Sequence, residues 1–281
     1  MHYLRIAIPA ADPSVQEILV ARLADLGYEG FEQLDGSLQA FLPENGFDAA
    51  ALDELLSRWQ LVATRERLEE RNWNEEWEKN FHPVLVGDFC AIRAFFHDPI
   101  PGVSHELIIT PKMSFGTGHH DTTYMMIKAM EQLDFTGKKV LDFGTGTGIL
   151  AILAERLGAA EVTAIDHDDW CIDNARENIA INHCTRIAVV KADSLAGPGV
   201  AVGSPGPHYD VILANINKNI ILSQLPAAGQ HLKVGGVIVW SGLLPDDEKE
   251  VREAAARNNL PISVRMTKGS WICLKSEKKT K

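Results

Sequence analysis

The sequence predicts an α/β protein: a doubly wound domain of seven strands preceded by a small α+β unit. Three observations carry that prediction. Residues 139–150, Lys-Val-Leu-Asp-Phe-Gly-Thr-Gly-Thr-Gly-Ile-Leu, run from a short apolar strand through three glycines into an apolar helix. Such a unit opens a nucleotide-binding α/β domain, because glycine lets backbone approach a ligand that a Cβ would strike. From residue 161 to 274, short apolar strands go on alternating with helical patterns, as in a parallel sheet covered by helices on both faces. Residues 1–67 instead read strand, helix, strand, strand, helix, strand.

Taken in order, Tyr3 to Ala10 alternates apolar and polar residues and reads as a strand. Ser14, with Glu17 three residues on, is the expected cap of the first helix, and Gly27 its stop. Two strands, 28–33 and 38–41, are joined by the turn Leu34-Asp-Gly-Ser37. Asp48 to Trp59 places Leu52, Leu55, Leu56 and Trp59 on one helical face, and 61–67 supplies a fourth strand. This is the ferredoxin-like split unit, a fold that carries many functions and so names none. Glu69 to Lys79 reads as a charged helical connector, with Trp73 and Trp77 as an i, i+4 staple. Strands at 84–96 and 106–110 form a bridging layer, with a loop at 98–102 between them.

The glycine turn is selective. A dinucleotide fingerprint, G-x-G-x-x-G, would need glycine at position 149, where this chain has Ile149. The pattern is G-x-G-x-G, with Gly144, Gly146 and Gly148 preceded by Asp142. It resembles motif I of the class I S-adenosylmethionine methyltransferases. By that resemblance the glycines admit the methionine moiety of the cofactor and the Asp142 carboxylate faces its ammonium group. Asp166 ends the strand 161–165, where a carboxylate can accept both ribose hydroxyls. Asp168 or Asp169 can cap the following helix and leave Asp166 for the ligand. Asp193, after the strand 186–192, is the candidate for the adenine edge.

Upstream, Met113 to Thr123 contains Gly116 and Gly118 and leads into a helix from about Thr123 to Leu133. It reads as a lid over the cofactor, with Thr123 hydrogen-bonding at the helix N-terminus. His119, His120 and Asp121 form no expected metal site, since adjacent residues seldom converge on one ion. Beyond Asp166, helices are expected at 170–182, 218–232 (broken at Pro226) and 245–258, and strands at 209–216 and 236–241. Residues 195–208 are rich in Gly and Pro and read as a loop. Residues 262–266 and 271–274 pair as a final hairpin that adds an antiparallel strand.

Composition narrows the function classes. Of 281 residues, 46% are hydrophobic and 23% charged, and no apolar run reaches membrane-spanning length. The start carries no signal-peptide pattern, and the four cysteines lack C-x-x-C spacing, so a cytoplasmic protein without membrane or zinc is expected. Net charge is −11, and residues 1–80 hold 16 Asp and Glu against 7 Lys and Arg. On charge alone that acidity reads as a solvated, solubilising surface; as a contact surface it favours a basic partner over a phosphate backbone.

The combined motifs resemble the ribosomal protein L11 methyltransferases. The segments that carry the likeness are Phe115-Gly-Thr-Gly-His-His-Asp-Thr-Thr123, the motif from Asp142 to Gly148, and Ala214-Asn215-Ile216. Asn72-Trp-Asn-Glu-Glu-Trp-Glu-Lys-Asn-Phe81 and Ser270-Trp-Ile272 also fit. One departure is Asp121, where the family's lid usually has proline; the first 60 or so residues match in layout only. The resemblance implies a Rossmann-like methyltransferase domain at 113–281, a connector with bridging strands at 68–112, and a substrate-recognition domain at 1–67. It implies S-adenosylmethionine as methyl donor, with contacts from Thr123, Gly144, Gly146, Asp166 and Asn215. Asn215 is also the candidate catalytic residue, offering carbonyl oxygens to the N–H groups of an attacking amine. The implied substrate is ribosomal protein L11, at lysine side chains and its N-terminal amine, with no direct nucleic-acid contact. The alternative is a class I methyltransferase acting on another protein, a nucleic acid or a small molecule.

Overall fold

The computed structural model describes residues 3–68, 82–110, 118–195 and 208–280. The expected connector helix, Trp73 and Trp77, the lid residues 113–117 and most of the loop at 195–208 lie outside the described residues. The chain forms two compact units, 1–76 and 77–281.

In the first unit, β1 (Tyr3–Ile8), α1 (Pro13–Asp25), β2 (Gly30–Leu34), β3 (Ser37–Pro43), α2 (Ala49–Ser57) and β4 (Thr64–Leu68) follow one another. The antiparallel sheet runs β2-β3-β1-β4, the ferredoxin-like order. Leu4, Ile6 and Ile8 alternate inward along β1 and meet Leu19 and Leu23 of α1 and Leu52 and Leu56 of α2. The cap of α1 is Asp12, not Ser14: its carboxylate accepts the Ser14 N–H at 2.9 Å. Pro13 explains the shift, since it has no N–H to leave unpaired and its φ is already helical. The hairpin turn is Asp35-Gly36, with Gly36 at φ +80°.

The second unit holds two sheets. The smaller is β5 (Val84–Val86), β6 (Cys90–Arg93) and β7 (His105–Ile108), in that order. The strand expected over 84–96 is therefore two, antiparallel, folded at Gly87 with φ +58°. The larger sheet contains β8 (Lys139–Phe143), β9 (Glu161–Asp166), β10 (Ile187–Lys191), β11 (Tyr209–Asn215), β12 (Leu232–Leu243), β13 (Ile262–Lys268) and β14 (Trp271–Glu277). Their order is β10-β9-β8-β11-β12-β14-β13. The strands from β10 to β12 are parallel, and β14 is inserted antiparallel to both neighbours.

Helices α3 (Asp121–Glu131), α4 (Ile149–Arg156), α5 (Asp169–Ile181), α6 (Lys218–His231) and α7 (Glu248–Arg257) cover this sheet. Helix α6 is continuous through Pro226, contrary to the expected break. Leu225 and Ala228, both fully buried beside the proline, hold the adjoining turns in the core. Helix α7 starts later than the sequence suggests, because Pro245–Asp247 form a separate 3-10 turn. Trp240, at 1% exposure, centres the core with Leu141, Ile212, Leu225, Val251 and Ile272. All four cysteines are unpaired. No described helix is long and apolar enough to cross a membrane.

Candidate functional site

The strand order turns back on itself between β8 and β11, and their C-terminal ends open at that switch point, where α/β sheets bind ligands. Asp142, Asp166 and Asn215 all reach it, from β8, β9 and β11. Asp142 is 1% exposed. Its Oδ2 accepts the Thr145 hydroxyl at 2.6 Å, while Oδ1 is buried with no partner among the described residues. Burial pushes its pKa up to about 7; the Thr145 hydroxyl and the Ala151 N–H pull it back, and the Asp166 charge adds to the rise. A carboxyl in this state gains by meeting a cation.

The turn after β8 is held from the neighbouring strand. Gly144 and Thr145 N–H both donate to the Ile165 carbonyl at 2.9 Å, and Gly146 N–H donates to Asp166 Oδ2 at 2.9 Å. Asp166 Oδ1 accepts the Asp168 N–H at 3.2 Å. Asp168 itself caps α5 through the Trp170 and Cys171 N–H groups. The helix-capping task thus falls to Asp168, and Asp166 braces the glycine turn while keeping lone pairs for a further donor. Asp193 is exposed and follows Ala192, whose N–H donates to the Asp166 carbonyl at 2.8 Å.

The glycines serve packing as much as ligand approach. Gly144, Gly146 and Gly148 sit at φ +70°, +54° and +81°, which glycine alone adopts without strain. A Cβ on Gly144 would collide with the Cγ2 methyl of Ile216, and one on Gly148 would lie 3.3 Å from Ala175 Cβ. Ile216 is gripped from its other side as well: a Cβ on Gly242, at φ +84°, would run into the Ile216 backbone. Sequence reasoning missed Gly242. Its one signal was a glycine directly after the strand expected at 236–241; the observed strand runs on to Leu243, and a glycine inside a strand marks close backbone approach. The two glycines together set where Asn215, one residue earlier, ends its strand.

Asn215 and Thr123 meet, although 92 residues apart: Asn215 Nδ2 donates to Thr123 Oγ1 at 3.3 Å. The Asn215 Oδ1 is buried with no partner among the described residues. Thr123 is fully buried in the first turn of α3, whose cap is His120. The imidazole does the capping: it accepts the Thr122 N–H at 3.3 Å and pairs with Thr122 Oγ1 at 2.8 Å. Burial lowers the His120 pKa to about 4; Asp121 opposes the fall and Lys268 adds to it. Its ring packs edge-on against Trp271 at 4.7 Å, and Asp121 pairs with Lys268. His120 and Asp121 therefore turn to separate partners. Among the described residues, no group of three or more His, Cys, Asp or Glu could hold a metal ion.

The donor set suits S-adenosylmethionine: buried carboxylate for a cation, strand-end carboxylate for hydroxyls, and glycine turn between them. Comparison with known proteins agrees. The family model for ribosomal protein L11 methyltransferase matches residues 28–279. A ribosomal protein L11 methyltransferase of Phocaeicola vulgatus is 39% identical over 98% of this chain and 99% of its own length. One from Porphyromonas gingivalis is 41% identical over 92% of this chain and 89% of its own. The crystal structure of a ribosomal protein L11 methylase from Lactobacillus delbrueckii subsp. bulgaricus superposes with a TM-score of 0.64 at 31% identity, covering 71% of this chain and all of that one. A chain that matches the family model over so much of its length, and that carries the Asp142, Asp166 and Asn215 constellation at the sheet's switch point, belongs to the ribosomal protein L11 methyltransferase family.

Proposed function

We propose that this protein transfers methyl groups from S-adenosylmethionine to amino groups of ribosomal protein L11, at lysine side chains and the N-terminal amine, in the cytoplasm. The observation that supports it most is the buried oxygen of Asp142, without a partner among the described residues and beside a second carboxylate, an anionic socket that suits the cofactor's ammonium group. The cofactor supplies an electrophilic methyl on a sulfonium sulfur. Asp142 would hold its ammonium group and Asp166 its ribose hydroxyls, with Gly144 and Gly146 lining the approach and Thr123 closing the side toward Asn215. An ordinary lysine, with a pKa near 10.4, is almost wholly protonated at neutral pH and has no lone pair to give. Asn215 Oδ1 accepts a hydrogen bond from the neutral amine and aims its lone pair, which lowers the entropy cost of in-line attack. A neutral carboxamide does this without stabilising the ammonium form as a carboxylate would.

Residues 1–67, within the acidic first third of the chain, dock the ribosomal protein, their charge suiting a basic surface on it. Incubating the full chain with the cofactor and purified L11, and reading masses of the intact product and its peptides, should show methyl additions on lysines and the N-terminal amine. Methyl transfer to RNA or a small molecule with L11 unmodified would overturn the assignment. For the cofactor site, Asp166→Ala is expected to weaken S-adenosylmethionine binding by roughly 1–3 kcal/mol, the cost of unpaired polar partners. Calorimetry showing unchanged affinity would leave Asp166 only its brace on the glycine turn.

A further inference from the structure

Helix α5 carries asparagines at 174 and 178, and Asn182 follows as its C-terminal cap; all three are almost completely buried, with exposures of 1%, 0% and 2%. The i, i+4, i+8 spacing stacks them on one helix face. Buried carboxamides are costly unless hydrogen-bonded, so what these reach is informative. Asn182 makes a closed pair with β7: its Oδ1 accepts the Ile108 N–H at 3.0 Å, and its Nδ2 donates to the Ile108 carbonyl at 2.6 Å. Asn178, one turn earlier, does something different. Its Oδ1 accepts the Thr110 N–H at 2.8 Å, two residues beyond the end of β7. Its Nδ2 donates to the Thr147 carbonyl at 2.8 Å and to Asn174 Oδ1 at 3.3 Å.

Thr147 belongs to the glycine turn. The peptide joining it to Gly148 is held at both ends: Asn178 takes the carbonyl, and the Gly148 N–H donates to the Thr145 carbonyl at 2.8 Å. Gly148 is at φ +81°, and glycine crosses easily to other backbone conformations. The anchor on the Thr147 carbonyl and the Gly148 N–H bond together oppose turning this peptide over. We infer that Asn178 is a positioning residue for S-adenosylmethionine binding, its one carboxamide setting the glycine turn and the end of β7 against each other. The inference rests on the cofactor reading of this site.

Asn182 is the control, because it ties the same helix to the same strand without touching the glycine turn. Asn178→Asp keeps an acceptor for Thr110 but loses the donor to Thr147. Its added negative charge would, by Coulomb attraction alone, tighten a cationic ligand, so weaker binding reports geometry. In calorimetric titrations with S-adenosylmethionine, Asn178→Ala and Asn178→Asp are each expected to raise Kd at least about tenfold, or ~1.4 kcal/mol. Asn182→Ala is expected to lower the melting temperature yet leave Kd within about twofold. If Asn178→Ala does not fold, Asn178→Asp against Asn182→Asp makes the same comparison. The inference is overturned if folded Asn178→Asp binds like wild type, or if the Asn182 variants lose as much affinity as their Asn178 counterparts. Failure of the wild-type protein to bind S-adenosylmethionine would instead remove the cofactor reading.

Discussion

Asp142→Asn is expected to stabilise the cofactor-free protein at pH 8 and to abolish tight binding of S-adenosylmethionine. The folded pKa of about 7 stands above the unfolded value of 3.8, with desolvation as the main cause. Between those values the folded state binds more protons than the unfolded one, so this group's contribution to stability is complete below pH 3.8 and is lost as pH rises through 7. Every tenfold change in proton affinity between the two states corresponds to ~1.4 kcal/mol. An asparagine never carries the charge, but its amide also lacks a full set of partners there, which takes back ~1–3 kcal/mol. The net gain at pH 8 should be on the order of 1–3 kcal/mol, and the variant's melting temperature should vary less with pH from 4 to 8. The cofactor's ammonium group, in turn, would lose its counter-charge. Melting curves with and without cofactor across this range decide it. A variant that is no more stable at high pH, or that binds cofactor as wild type does, would show that Asp142 is not the charged socket.

Asn215 should show its role in rate rather than affinity. Asn215→Ala is expected to lower kcat by at least about tenfold, ~1.4 kcal/mol of lost transition-state stabilisation, with a smaller change in the KM for L11. Some of that loss comes through Thr123, whose hydroxyl loses its 3.3 Å contact with the amide. Asn215→Asp separates the possibilities. Its carboxylate still accepts hydrogen bonds, but its charge holds the substrate lysine as an ammonium ion. Activity at neutral pH should fall, then recover as pH rises and the amine gives up its proton. If Asn215 served only to end its strand, aspartate would do nearly as well there, and the pH–rate profile would match the wild type.

The chemistry of the site was legible in the sequence wherever it depended on neighbours along the chain. The strand, glycine turn and helix of residues 139–150 appear where their pattern put them, because strand and helix periods are local properties. Asp166 was readable as a strand-end carboxylate and Asp168 or Asp169 as the competing cap, because capping spans only two or three residues; the structure gives the cap to Asp168. Local reading failed where a second element intervened. Ser14 lost the cap of α1 to Asp12 through Pro13, and Pro226 did not break α6 because buried residues on both sides hold it.

What only the tertiary structure decided is which polar atoms are left without partners and which small residues are obligatory. Gly144 was readable as a glycine of a cofactor turn, yet its nearest constraint is Ile216, 72 positions later. Thr123 and Asn215 meet across 92 residues, and Asn178 reaches Thr110 across 68. The raised proton affinity of Asp142 comes first from its burial in the folded chain. The sequence by itself determined the kinds of group and the order in which the chain delivers them to the switch point. Their charge states, spare hydrogen-bonding capacity and mutual support depend on desolvation and contact, and these arise only once distant segments pack.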